Sequence, residues 1–180
     1  MSHSDRNRHE TQREARVCKG DGVADEDRHR FVAGLEAAVT DAYRSALDRG
    51  GFDAAVADVL LVLAQHHDEH ATALAALAGI ARADVVPNAT LYAELNQTVL
   101  VDDPLPAVIA VEEALAATHV ASLGELTSSD GAAAVASIVP VEAQHVVVAG
   151  VTSGLEPTAV ELLPVVQLTD RALTTSAYGS

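Results

Sequence analysis

Four stretches of this chain repeat apolar residues at every third or fourth position, and each stretch carries polar side chains in the middle of its apolar stripe. This spacing places a stripe along one face of an α-helix, the face that a helix buries. A buried carboxylate costs several kcal/mol unless a partner charge, hydrogen bonds or a metal ion compensates it. The embedded residues are Glu36 and Tyr43, then His67 and His70, then Glu112 and His119, and finally Glu142 and His145.

These polar positions form an internal repeat. Glu36 is followed seven residues later by Tyr43, and Glu112 is followed seven residues later by His119. Each lone glutamate precedes an i, i+3 pair on the next stripe by nearly the same separation. Because polar positions align with polar positions, the repeat is stronger support for a common site than any single motif.

Breaks between the stripes predict an all-α fold built from two hairpins. Short turns join the first two and the last two stripes, so the helices of each pair are antiparallel neighbours. A long connection, residues 80–105, crosses between the hairpins. The segment 1–24 is polar and lacks periodicity, which predicts a disordered arm before a bundle domain of residues 25–180. The predicted helices cover residues 25–49, 53–79, 106–127 and 132–154, and a broken fifth helix covers residues 158–175.

Composition excludes several classes of function. The formal net charge is −15, and residues 1–30 hold equal numbers of acidic and basic side chains, so the excess lies in the bundle. Such a body repels phosphate backbones, and we expect no nucleic-acid partner. The single cysteine, Cys18, allows no intramolecular disulfide. With no secretory h-region and no uninterrupted membrane-spanning apolar run, we expect a cytoplasmic protein without a membrane partner.

Antiparallel geometry brings the polar residues together. Each lone glutamate lies about as many residues before its turn as the facing pair lies after it, so at about 1.5 Å per residue all reach one height. Carboxylates and imidazoles that converge inside a helical bundle are typical of a di-metal centre. The candidate metal ligands are Glu36, His67, His70, Glu112, Glu142 and His145.

With these motifs, the chain resembles the ferritin-like di-iron carboxylate superfamily, in particular the bacterial ferritin-like domain proteins common in actinobacteria. The resemblance covers about residues 28–155, and the ending from Pro164 is also similar to the tail of that subfamily. It implies a four-helix up-down bundle with a long crossover, bound iron, and ligands at Glu36, His70, Glu112, Glu142 and His145. Tyr43 corresponds to the tyrosine that often follows the first glutamate.

The chain departs from that family pattern at His67, where the family has a bridging glutamate. Imidazole ligates iron, zinc or manganese but does not bridge two metals as a carboxylate does. His119 also replaces a second tyrosine, and Glu113, one position out of register, is expected to flank the ligands. Histidine-rich coordination shifts the preference toward zinc, copper or a mononuclear site, and the substitution weakens the case for ferroxidase activity.

Two functions remain open from the sequence. In one, the bundle binds one or two transition-metal ions and serves metal storage, detoxification or redox chemistry. In the other, the Glu/His layer is a hydrogen-bonded polar core in a structural or stress-associated bundle. The acidic exterior and the extra C-terminal segment favour a monomer or homodimer over a cage.

Overall fold

The protein is described by a computed structural model that covers residues 3–99, 101–156 and 171–179, with backbone alone for residues 3–23. These residues form six α-helices and one short 3₁₀ helix, and they contain no β-strand, so the all-α prediction is confirmed. The elements are α1 (His3–Arg49), α2 (Ala54–Leu77), the 3₁₀ helix (Arg82–Asp84), α3 (Ala89–Thr98), α4 (Leu105–Leu123), α5 (Ser129–Thr152) and α6 (Thr175–Tyr178).

The long helices pair as two hairpins. Helix α1 packs along α2, and α4 packs along α5, while α2 also contacts α5. The connection between the hairpins contains the 3₁₀ helix and α3, which packs against α1. The predicted bundle of two hairpins with a crossover is therefore confirmed.

Local sequence signals set the ends of these helices. The Asp53 side chain accepts a hydrogen bond from the backbone N–H of Val56, and Ser128 caps α5 through Gly131 in the same way. Gly79, with a φ of 68°, follows α2 and lets the chain turn through the left-handed region. These caps fix where the hairpin helices start and stop, and so the height of the residues they carry.

Helix α1 differs from the prediction at its start. It begins at His3, within the segment predicted to be disordered, and not near residue 25. Periodicity detects only helices that bury one face, and residues 3–24 contain no proline that would interrupt a helix. The boundary between arm and domain at residue 24 stays a prediction. Residues 158–170 of the predicted fifth helix lie outside the described residues. Residues 172–174 are not helical, so the prediction is wrong there, and α6 begins at its last residue, Thr175.

Two apolar clusters form the core, and the predicted polar residues lie between them. The larger cluster includes Leu60, Leu63 and Leu115, and the smaller one includes Leu74 and Ile138. Along α2, His67 and His70 fall between the residues of the first cluster and those of the second. The polar layer is thus enclosed by apolar side chains on both sides.

By length and composition alone, α4 and α5 are each apolar enough to cross a membrane, a feature that a search for uninterrupted apolar runs missed. Such helices also occur in the cores of bundles, so this is weak support for a membrane span. Each of the two helices carries a fully buried glutamate, Glu112 or Glu142, that faces other helices of the bundle. In hydrocarbon these carboxylates would be costly.

Candidate metal centre

Four helices deliver the six predicted ligands to one buried layer. Helix α1 supplies Glu36, α2 supplies His67 and His70, α4 supplies Glu112, and α5 supplies Glu142 and His145. All three glutamates and His67 are fully buried, and the most exposed side chain of the six, His70, is only 11% exposed. The sequence-predicted residues are therefore brought together away from solvent.

Glu36 is held from two sides. Its Oε2 lies 2.7 Å from Nδ1 of His67, and its Oε1 lies 2.7 Å from Nε2 of His119. Nδ1 of His70 is 3.6 Å from the same Oε2. Both oxygens of this carboxylate thus face imidazole nitrogens.

Glu112 has a matching environment. Its Oε1 accepts a hydrogen bond from Oη of Tyr43 at 2.6 Å and lies 3.1 Å from Nε2 of His67. Its Oε2 lies 3.0 Å from Nδ1 of His145. His67 therefore lies between the two lone glutamates and contacts each through a different ring nitrogen.

The repeat in the sequence has a crosswise counterpart in the structure. Tyr43 follows Glu36 on α1 but bonds Glu112 on α4, whereas His119 follows Glu112 on α4 but bonds Glu36 on α1. Each hairpin thus supplies a hydrogen-bonding side chain to the lone glutamate of the other. Tyr43 and His119 support the carboxylates from outside the six candidate ligands.

Glu142 differs from the other two glutamates because neither of its buried oxygens has a hydrogen-bond partner. Its Oε1 lies 2.9 Å from Nδ1 of His70, but these atoms are not aligned for a hydrogen bond, and Nδ1 is also unpartnered. Its Oε2 lies 3.5 Å from Nδ1 of His145. Unsatisfied buried polar atoms are rare in folded proteins, and a site for an ion is one of their recognised explanations.

The carboxylates of Glu36 and Glu112 are held ionised. Burial raises the pKa of Glu36, but hydrogen bonds from His119 and His67 outweigh burial and keep this pKa well below its usual value. The pKa of Glu112 is also raised by burial and is lowered further by the charge of His67 and by His145. Burial raises the pKa of Tyr43, and the Glu112 carboxylate raises it further. The phenol therefore stays protonated and donates a hydrogen bond to Glu112.

The facing histidines are held protonated when no metal is bound. Burial lowers the pKa of His67, but the charges of Glu112 and Glu142 outweigh burial and raise it well above its usual value. Glu142 and Glu36 likewise overcome burial and raise the pKa of His70 to about 9. Glu112 and Glu142 also overcome burial at His145 and raise its pKa to about 9. Three imidazolium groups thus balance three carboxylates.

The donor set fits a transition metal. Two groups of four residues each offer ligand atoms that lie within 4.8 Å of one another: Glu36, His67, His70 and Glu142, and then His67, Glu112, Glu142 and His145. Ligands about 2.0–2.2 Å from one tetrahedral zinc ion lie about 3.3–3.6 Å from one another, so the most widely separated of these atoms must approach by about 1 Å to bind one ion. Imidazole nitrogen with carboxylate oxygen suits zinc, iron and manganese.

Two further residues lie at the edge of this layer. Glu113 is 24% exposed and pairs with Arg171, so it points away from the cluster. The sequence did not predict a role for His66, because its position in the helix places it on a different face from His67 and His70. In the structure its Nδ1 lies 2.9 Å from Nε2 of His145. That contact depends on how α2 packs on α5, which the spacing within one helix does not reveal. The contact with His66 engages Nε2 of His145 and leaves Nδ1 of His145 directed at the carboxylates of Glu112 and Glu142.

Comparisons with known proteins agree with this geometry. No curated protein and no solved structure matched the chain. A family model, described as the ferritin-like domain, matches residues 24–154, which cover the two hairpins and every candidate ligand. The chain therefore belongs to the ferritin-like domain family.

Proposed function

We propose that this protein binds transition-metal ions, iron or zinc, at the Glu/His layer inside its bundle. The observation that carries the proposal is Glu142, whose two carboxylate oxygens are fully buried, unpartnered and directed at His70 and His145. A buried carboxylate costs several kcal/mol; the facing histidines offset part of that cost, and a cation bound by this group would offset the rest. When bound, the ion would supply Lewis-acid or redox chemistry for storage, detoxification or catalysis.

The competing function is a structural bundle with a hydrogen-bonded polar core. It is favoured by Glu36 and Glu112, because all four of their oxygens already contact donor groups. In that case the layer holds the helices in register and needs no ion. The two functions differ in what Glu142 contributes, and this makes its substitution the decisive test.

The test compares three proteins, each with metal and with chelator. They are the original chain, Glu142→Ala, and the control Glu69→Ala, which makes the same chemical change at an exposed position of α2. Elemental analysis of protein purified without added metal or chelator identifies the ion. Thermal melts then measure the stabilisation that the ion confers.

We expect the identified ion to stabilise the original protein and the control by about 2.7 kcal/mol at a hundredfold excess over its dissociation constant. Glu142→Ala should lose most of this gain, so that its melting temperature differs little between metal and chelator. Equal melting temperatures of the original protein in metal and chelator would end the metal hypothesis. A polar core would instead make Glu142→Ala destabilising in both conditions, since His70 and His145 lose a carboxylate partner.

We further propose a cytoplasmic monomer or homodimer that acts without a nucleic acid or membrane partner. The support is the net charge of −15, the lone cysteine and the fully buried glutamate that each of the two apolar helices carries. Light scattering coupled to size exclusion tests the assembly, and a mass of more than two chains would contradict it.

A further inference from the structure

The two candidate ligand groups share two residues, His67 and Glu142. The remaining ligands divide cleanly, with Glu36 and His70 in one group and Glu112 and His145 in the other. Two ions bound side by side would therefore be linked through the shared pair. Glu142 has one oxygen near each group, Oε1 by His70 and Oε2 by His145.

His67 also offers one atom to each group. Its Nδ1 lies 2.7 Å from Oε2 of Glu36 and 3.8 Å from Oε1 of Glu142, on the side of the first group. Its Nε2 lies 3.1 Å from Oε1 of Glu112, on the side of the second. The two nitrogens are on different edges of the ring, and the ring itself is fully buried between the two lone glutamates.

Neutral imidazole has one lone pair for a metal, but imidazolate has one on each nitrogen; we infer that His67 bridges two transition-metal ions as an imidazolate, with Nδ1 bound to one ion and Nε2 to the other. Each nitrogen forms a bond to its ion with the electron pair left when its N–H bond breaks, and both protons leave to solvent. No electrons are transferred. This inference rests on the proposed metal binding and specifies how the layer would divide between two ions.

Charge supports a bridge of this kind. Two divalent ions bring four positive charges, and three glutamates with one imidazolate supply four negative charges, so the buried centre is neutral. Neutral histidine at this position would leave a buried excess of positive charge, which is costly in a low-dielectric interior. A single divalent ion beside a protonated His67 is also neutral, and the number of bound ions separates these two arrangements.

The experiment titrates the metal-free full-length protein with Cu(II), which binds nitrogen-rich sites tightly, and follows it by equilibrium dialysis and electron paramagnetic resonance. Two Cu(II) ions joined by an imidazolate couple antiferromagnetically. We therefore expect binding of two equivalents, with the second lowering the integrated resonance signal instead of doubling it. The variants are His67→Gln, which keeps a neutral polar side chain of similar reach, and His67→Glu, which offers a carboxylate instead; circular dichroism checks that both fold.

In His67→Gln we expect the coupling to be lost, with the signal proportional to the copper bound. In His67→Glu we expect two equivalents to bind with a spectrum that differs from that of the original protein. Additive signals from two ions in the original protein, or binding of only one ion, would overturn the inference while leaving metal binding intact. Coupling that persists unchanged in His67→Gln would assign the bridge to Glu142 and also overturn it. Failure of the original protein to bind any metal would refute the proposed function itself.

Discussion

Bound metal should abolish a fall in stability that the metal-free protein shows as the pH rises. In the metal-free protein, His70 and His145 have pKa values raised from 6.5 to about 9. A group whose pKa is raised on folding stabilises fully below its unfolded pKa and loses that contribution as pH rises through its folded pKa. The free energy of unfolding of the metal-free protein should therefore fall between about pH 6.5 and pH 9.

The size of the effect follows from proton linkage. Between the two pKa values the folded protein binds one more proton per histidine than the unfolded chain, so stability falls by about 1.4 kcal/mol per pH unit for each group. Over the window from 6.5 to about 9 this gives roughly 3 kcal/mol for each histidine. The two side chains are 11% and 4% exposed, so solvent screening reduces these values little. They share Glu142, however, and the sum is an upper bound.

Chemical denaturation from pH 7 to 9.5 in chelator measures this slope. The range avoids His29 and His66, whose pKa values are lowered by burial and which finish titrating below it. With saturating metal this fall should disappear above about pH 7.5, because neither the metal-bound histidines nor those of the unfolded chain then hold an extra proton. A metal-free protein whose unfolding free energy stays level or rises from pH 7 to 9.5 would refute the protonated network.

Two substitutions test the packing around the layer. Tyr43→Phe removes the hydrogen-bond donor to Glu112 and should lower the free energy of unfolding of the metal-free protein by about 1.5–3 kcal/mol. The control Tyr92→Phe removes a partly buried hydroxyl outside the layer and should lower it by less. Equal losses of the two variants in denaturant titrations would contradict the role given to Tyr43. Gly131→Ala places a Cβ 2.8 Å from Cε1 of the buried His29 ring. Although alanine favours helix, we expect this contact to lower the free energy of unfolding by about 1–3 kcal/mol. A raised melting temperature would show instead that the ring moves aside freely.

The sequence was sufficient to predict the bundle and the height of its polar layer, because both depend on local patterns. Helical spacing assigns the buried face, and short turns force antiparallel neighbours, so Glu36 and the pair His67 and His70 had to meet. The start of α1 was not predictable in this way, since its first residues show no periodicity that packing would impose. The predicted segment 158–175 lies largely outside the described residues.

The specific side-chain contacts between helices could not be predicted from the sequence. The repeat aligns Tyr43 with His119, but it does not reveal that each bonds the glutamate of the opposite hairpin. That exchange depends on the rotation of α1 and α4 about their own axes. The approach of His66 to His145 similarly depends on the distance between α2 and α5. Spacing along one helix carries no information about either quantity.

Histidine at position 67 changes what the bundle requires in order to fold. With a glutamate there, the layer would hold four carboxylates against His70 and His145, and metal ions would be needed to offset the excess negative charge. His67 removes one carboxylate and adds one imidazolium, because its pKa is raised well above its usual value. The metal-free layer then has three imidazolium groups facing three glutamates, and the layer atoms left without hydrogen bonds are the oxygens of Glu142 and the Nδ1 atoms of His70 and His119. Since a neutral, largely bonded layer is far less costly to bury than four carboxylates, the substitution allows the bundle to fold before metal arrives and confines the dependence on an ion to Glu142.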